Sequence, residues 1–146
     1  MAHLEFPFGK TALGLDIADT RLRAVLTSGL HAYTPAADGE TLVRRAMADP
    51  IGTKPLAELA RGKQRVVIIA SDHTRPVPSK VIIPQMLTEV RRGNPAADIT
   101  ILIATGCHRE TTCDELVAKF GEDIVQNEKI YVHDCDDAAM LTDIGV

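Results

Sequence analysis

Asp72, His73, Thr74 and Arg75 are four consecutive polar residues at the end of an apolar run, and Pro76 and Pro78 follow directly. An acid, an imidazole, a hydroxyl and a guanidinium in a row exceed what a connector needs, because a connector only has to turn. Pro76 disfavours the helical region for Arg75 and fixes its own φ near about −65°. The loop is therefore expected to be stiff and to present Arg75 ahead of the next helix. Free N–H groups at that helix start would favour an anion. The guanidinium fork of Arg75 suits a phosphate or a carboxylate. Asp72 is expected either to hold Arg75 in place or to accept hydroxyl hydrogen bonds from a ligand.

A second cluster, Thr105-Gly106-Cys107-His108-Arg109, ends a later apolar run, and His133-Asp134 ends a third. Gly106 permits close approach or positive φ, which leaves His108 at the mouth of its strand. Imidazole suits proton transfer near neutral pH, so His108 is the candidate acid/base. Each cluster also has a plainer reading. Asp72 and Arg75 could form an ion pair that stiffens a turn. A loop histidine is commonly a hydrogen-bonded surface residue, and His133-Asp134 could cap a strand. Cys107, His108, Cys113, His133 and Cys135 match no zinc spacing, and the neighbours Cys107 and His108 would point apart. No metal site is assigned to them. What favours function is the coincidence of polar clusters at several strand ends, where open parallel sheets bind ligands.

The elements that must position these clusters follow from hydrophobic period. "TALGLDI" and "RLRAVLTS" alternate, and the "ADT" between them predicts a tight turn, hence an N-terminal β-hairpin. Asp38 reads as the N-cap of a helix that Pro50 stops, and "TKPLAELARG" as a short helix from Pro55 to Gly62. "RVVIIA", "ITILIA" and "KIYVHD" read as strands. A continuous apolar run such as the first predicts a strand covered on both faces. Between them, Ile82, Ile83, Met86, Leu87 and Val90 repeat with helical period, with Pro84 either at the helix start or kinking it. Thr112-x-x-Glu115 is a capping box that opens a helix ending near Gly121. The order predicts an α/β fold, a parallel βαβ sheet with helices on both faces, preceded by a β-hairpin.

The totals restrict the partners. The 146 residues suit one domain with a single core. A net charge of −4 with 3% aromatic residues and no Trp argues against nucleic acid, which calls for a basic footprint and stacking platforms. No apolar run is long enough to span a bilayer or to serve as a signal peptide. Three cysteines without C-x-x-C spacing favour a reducing, cytoplasmic location.

"SDHTRPVPS" followed one βαβ interval later by "ATGCHR" resembles the N-terminal part of the nickel-dependent lactate racemase family. The resemblance extends over most of the chain, through "DPIGTKPLAEL" and the "VHD" strand end. It implies racemisation or epimerisation of 2-hydroxy acids with a nickel-pincer nucleotide, pyridinium-3,5-bisthiocarboxylate mononucleotide nickel. In that family hydride moves from the substrate C2 to the cofactor and back, while two histidines exchange the hydroxyl proton. By matching positions, His108 resembles one of those histidines. Asp72, His73, Thr74 and Arg75 resemble the cofactor-contacting loop, and Arg75 is also placed for the substrate carboxylate. His73 and Cys107 occupy variable positions of the two motifs.

The family pattern continues past "LTDIGV". The second acid/base histidine, the tethering lysine and the nickel-ligating histidine have no matching position here. The chain is therefore expected to be an N-terminal domain, residues 1–146, of a longer protein and inactive alone, with a sheet edge open to self-association. Two other readings compete. One is a non-catalytic α/β module that binds a phosphometabolite or nucleotide at the same loops and is indifferent to His108. The other is a zinc-stabilised scaffold.

Overall fold

The computed structural model describes residues 1–145, which fall into two compact units, Met1–Ala36 and a second that begins at Ala37. In the first, β1 (Ala2–Phe8) and β2 (Thr11–Ile17) form an antiparallel hairpin with Leu4 opposite Leu15 and Phe8 opposite Thr11. Gly9 has φ +58° and, among the described residues, no non-glycine residue has positive φ, so the Gly9-Lys10 loop follows a type II′ pattern, which matches strand twist. His3 Nδ1 and Asp16 Oδ1 meet across the ladder at 2.8 Å.

The expected hairpin therefore exists with a different partner. β2 is the anticipated strand, but it pairs with the residues before it. Residues 21–28 are not strand, and Asp19–Arg21 form a 3-10 turn that leads the chain out of the ladder. The physical reason is the short loop. Leu4, Phe6 and Phe8 alternate with polar residues or Pro7 and are joined to β2 by only two residues, so they close the ladder at small entropic cost.

The second unit opens with α1 (Gly39–Ala48), capped by Asp38, whose carboxylate accepts from the Thr41 N–H at 2.9 Å. α2 (Leu56–Ala60) follows Pro55, and Gly62 at φ +71° ends the segment. Next come β3 (Arg65–Ser71), α3 (Ser79–Gly93), β4 (Asp98–Ala104), α4 (Cys113–Phe120), α5 (Glu122–Asn127) and β5 (Lys129–Val132). The strands form a parallel sheet in the order β3-β4-β5, with Ile68 beside Ile101 and Ile101 beside Ile130. The helix opened by the Thr112 capping box ends at Gly121, φ +93°, as the sequence predicts, and α5 follows it as an element the sequence pattern does not announce.

The core lies on one side of this sheet. Ile68, Ala70, Ile99, Ile101 and Ile103 pack against Ile83, Leu87 and Val90 of α3, Phe120 of α4 and Ile124 of α5. The alternate strand positions face the other way, and Val67, Ile69 and Tyr131 are 58, 71 and 42% exposed. The α/β class, the parallel sheet and the leading hairpin agree with expectation. Among the described residues, however, helices cover one sheet face rather than both. The strand runs read as continuously apolar because the uncovered face also carries Val67, Ile69 and Leu102.

Two positions in α3 tie the unit together. A Cβ at Gly93 would lie 2.1 Å from the Ala57 carbonyl oxygen, so only glycine lets the end of α3 approach α2 this closely. The Arg91 fork binds Glu128 through two 2.8 Å bonds, which anchors the helix beyond α5. Pro84 sits inside α3, where its missing N–H deprives only the Lys80 carbonyl in the first turn. No described helix is long and apolar enough to cross a membrane.

Candidate functional site

β3 ends at Ser71, and the next residue makes the turn. The Asp72 carboxylate accepts from the Thr74 N–H at 3.1 Å and from the Thr74 hydroxyl at 2.7 Å, an Asx-turn that replaces the lost ladder bonds. Two tight turns follow. Val77 N–H donates to the Arg75 carbonyl and Ser79 N–H to the Val77 carbonyl, both at 2.8 Å. Pro78, at φ −76° and ψ 61°, is the centre of an inverse γ-turn, and Pro76 occupies the same place in the preceding one. The prolines thus make the loop stiff, as the sequence predicts. The helix start is a different matter. Ser79 and Val81 N–H groups are occupied by the Val77 and Pro78 carbonyls, so an anion at this end would rely mainly on Arg75.

β4 ends in a turn of its own. His108 N–H donates to the Thr105 carbonyl at 3.1 Å, and Gly106 takes φ +61°, the positive value its position requires. This turn returns His108 over the end of β3. His108 Nδ1 lies 2.5 Å from Asp72 Oδ2 and 3.4 Å from Thr74 Oγ1. A carboxylate can only accept, so Nδ1 carries the hydrogen and Nε2 is the basic nitrogen of the neutral ring. Asp72 is 2% exposed, whereas the His108 side chain is 43% exposed. A buried acid therefore orients an accessible imidazole. Both border a cleft of about 430 Å³ that Ser71, Arg75, Thr105 and Gly106 also line.

The Asp72–Arg75 ion pair allowed by the sequence does not form. Asp72 is engaged by Thr74 and His108, and no described side chain pairs with the Arg75 guanidinium. His73 turns away from the cleft. Its Nδ1 meets Thr111 Oγ1 at 3.1 Å and lies 3.7 Å from Glu115 Oε2. His133 ties β5 to β4, since the Thr105 hydroxyl donates to its carbonyl at 2.8 Å. The structure thus gathers Asp72, Thr74, Arg75 and His108, and sends His73 toward α4. Among the described residues, the five weighed for zinc are not brought within ligand distance of one another as a set; the cluster that is contains Cys135 alone of them, with Asp134 and Asp136.

Three residues of the site went unread in the sequence. Thr111, just before α4, and Glu115 and Lys119 within it hold the two loops. Glu115 accepts from the Arg109 guanidinium at 2.7 and 2.9 Å and from the Thr112 N–H at 2.9 Å, besides facing His73. The capping box marked Glu115 as a helix cap only. Its second task depends on tertiary neighbours that no local pattern encodes.

Hydrogen bonds set the carboxyl titrations. The Thr74 hydroxyl, then His108 and the Thr74 N–H, hold Asp72 at about 2 against the upward push of burial. The Arg109 guanidinium and the Thr112 N–H hold Glu115 at about 2. Both values lie below the ordinary 3.8 and 4.5, so the stability these groups lend is present above about pH 4.5 and is lost as the pH falls toward 2. Thermal melting followed across that range is expected to hold steady to about pH 4.5 and to decline below it, with Glu115→Gln flattening the decline. A melting temperature unchanged near pH 3 contradicts the network.

A parallel α/β sheet thus carries an Asp–His pair and an arginine at adjacent strand ends, groups that can move a proton and meet an anion. The family model for the lactate racemase N-terminal domain matches residues 8–146, and the chain belongs to that family. A lactate racemase of Thermoanaerobacterium thermosaccharolyticum is 48% identical over 145 residues, covering 99% of this chain and 34% of the relative. One from Lactiplantibacillus plantarum is 43% identical with the same coverage of each. Among solved structures, the lactate racemase apoprotein from T. thermosaccharolyticum superposes with a TM-score of 0.78 at 50% identity, covering 91% of this chain and 30% of that one. The chain spans about a third of the length of the curated relatives it matches.

Proposed function

We propose that this chain is the cofactor- and substrate-binding N-terminal part of a longer, cytoplasmic racemase or epimerase of 2-hydroxy acids such as lactate. The observation that carries the reading is the Asp72–His108 bond at the edge of a strand-end cleft that Arg75 also lines. The Arg75 fork binds the substrate carboxylate. His108 Nε2 then faces the C2 hydroxyl, takes its proton as that oxygen becomes a carbonyl, and returns it when the alcohol re-forms. The Asp72 carboxylate fixes the ring and stabilises the imidazolium while the proton is held. Thr74 keeps Asp72 ionised and in place.

The group implied for this family is the nickel-pincer nucleotide, which when bound would take the C2 hydride as the carbonyl forms and return it as the alcohol re-forms. Arg75 is the cationic donor that lines the cleft, and it would meet either the phosphate of that group or the substrate carboxylate. Metal ligation would come from outside this cleft. The one described cluster with ligand spacing is Asp134, Cys135 and Asp136, whose ligand atoms lie within 4.8 Å of one another after β5, and none of these residues lines the cleft.

Arg75→Ala provides the test. Titrated separately with lactate and inorganic phosphate, the variant is expected to bind each about tenfold or more weakly, as loss of a charged hydrogen-bond donor predicts. Unchanged affinity for both ligands contradicts the assignment of the cleft.

A further inference from the structure

Lys119 lies in α4, 44 positions beyond Arg75, and its Nζ donates to the Arg75 backbone carbonyl at 2.8 Å. That carbonyl already accepts the Val77 N–H at 2.8 Å, so both of its lone pairs are used. One bond closes the γ-turn from within the loop, and the other pins the same peptide plane from a different element. Together with Pro76, which confines Arg75 to extended backbone, they set the direction in which the guanidinium leaves the chain.

A surface lysine ordinarily keeps its ammonium in water or beside a carboxylate. Lys119 directs its ammonium at the loop instead, where the Asp72 charge also reaches it. It is half-buried, its one described hydrogen bond is to a neutral carbonyl, and burial lowers its titration from the ordinary value. A desolvated ammonium spent on a backbone carbonyl makes sense where the position of that peptide matters. One turn earlier in α4, Glu115 faces His73 on the same loop, and Thr111 before the helix meets His73 as well, so the Asp72–Arg75 turn is held at two places.

We propose that Lys119 is a positioning residue for ligand binding, which fixes the Arg75 peptide so that the guanidinium meets the substrate carboxylate. The inference rests on the reading of Arg75 given above.

The test compares Lys119→Met, Lys119→Arg and Arg75→Ala in the full-length enzyme, with melting of each variant measured alongside. Lys119→Met is expected to raise KM for lactate about tenfold with kcat within about twofold, the size of one charged hydrogen bond. It should weaken phosphate binding by a similar factor. Lys119→Arg, which keeps a cationic donor, is expected to restore most of both. If Lys119→Met melts lower and its weakened binding disappears when both assays are run well below its melting temperature, the role is structural and the inference fails. Wild-type KM in Lys119→Met alongside weakened binding in Arg75→Ala overturns this inference alone. Wild-type binding in Arg75→Ala overturns the functional reading with it.

Discussion

His108→Ala in the full-length enzyme is expected to lower kcat by roughly 10²–10⁴-fold, the span of a positioned general acid/base, while ligand affinity changes little. The geometry separates the two effects. Nδ1 of His108 is engaged 2.5 Å from Asp72 Oδ2, so only Nε2 is available to the substrate hydroxyl. In the proposed reading the substrate carboxylate meets Arg75, whose loop is braced by the turns at Pro76 and Pro78 and by Lys119 rather than by His108. Asp72→Asn is expected to lie between wild type and His108→Ala, because the amide keeps the Asx-turn but no longer supports an imidazolium. Steady-state turnover paired with calorimetric binding checks both variants. Full activity in His108→Ala removes His108 from the reaction.

Ile101→Ala is expected to destabilise the second unit by about 2–5 kcal/mol, the usual result of emptying a closed core position. Ile101 is 0% exposed and sits in the central strand, beside Ile68 and Ile130. No helix can shift inward there without disturbing two strands, so the cavity is expected to persist. A loss of that size is a large share of the stability of an ordinary domain. Denaturant unfolding of the variant measures it directly, and a loss below about 1 kcal/mol would mean that the sheet collapses around the gap.

Much of this site is legible in the residues. Pro76 and Pro78 announce a stiff loop, Gly106 a positive φ, and Thr112 with Glu115 a helix start, since each acts through its own backbone. The parallel sheet follows from "RVVIIA" and "ITILIA" separated by a helical period. What escaped depends on partners distant in sequence. Asp72 bonds His108, 36 residues away, rather than its neighbour Arg75. Lys119 and Glu115 look like ordinary helix-surface charges until α4 packs beside the loops. The alternation of "RLRAVL" predicts that β2 pairs forward, yet it pairs backward with "HLEFPF", which alternates as clearly and is joined to it through the Gly9 turn. The covering of the sheet could not be read either. Val67 and Ile69 are as apolar as Ile68, yet they face away from the helices of this unit.

The most direct test of the central claim is the nitrogen-15 spectrum of the His108 imidazole near neutral pH, recorded with and without lactate. The account predicts a ring protonated at Nδ1 toward Asp72, with the Nε2 signal moving as lactate is added. A ring protonated at Nε2 with Nδ1 bare, or an Nε2 signal indifferent to lactate, would contradict it.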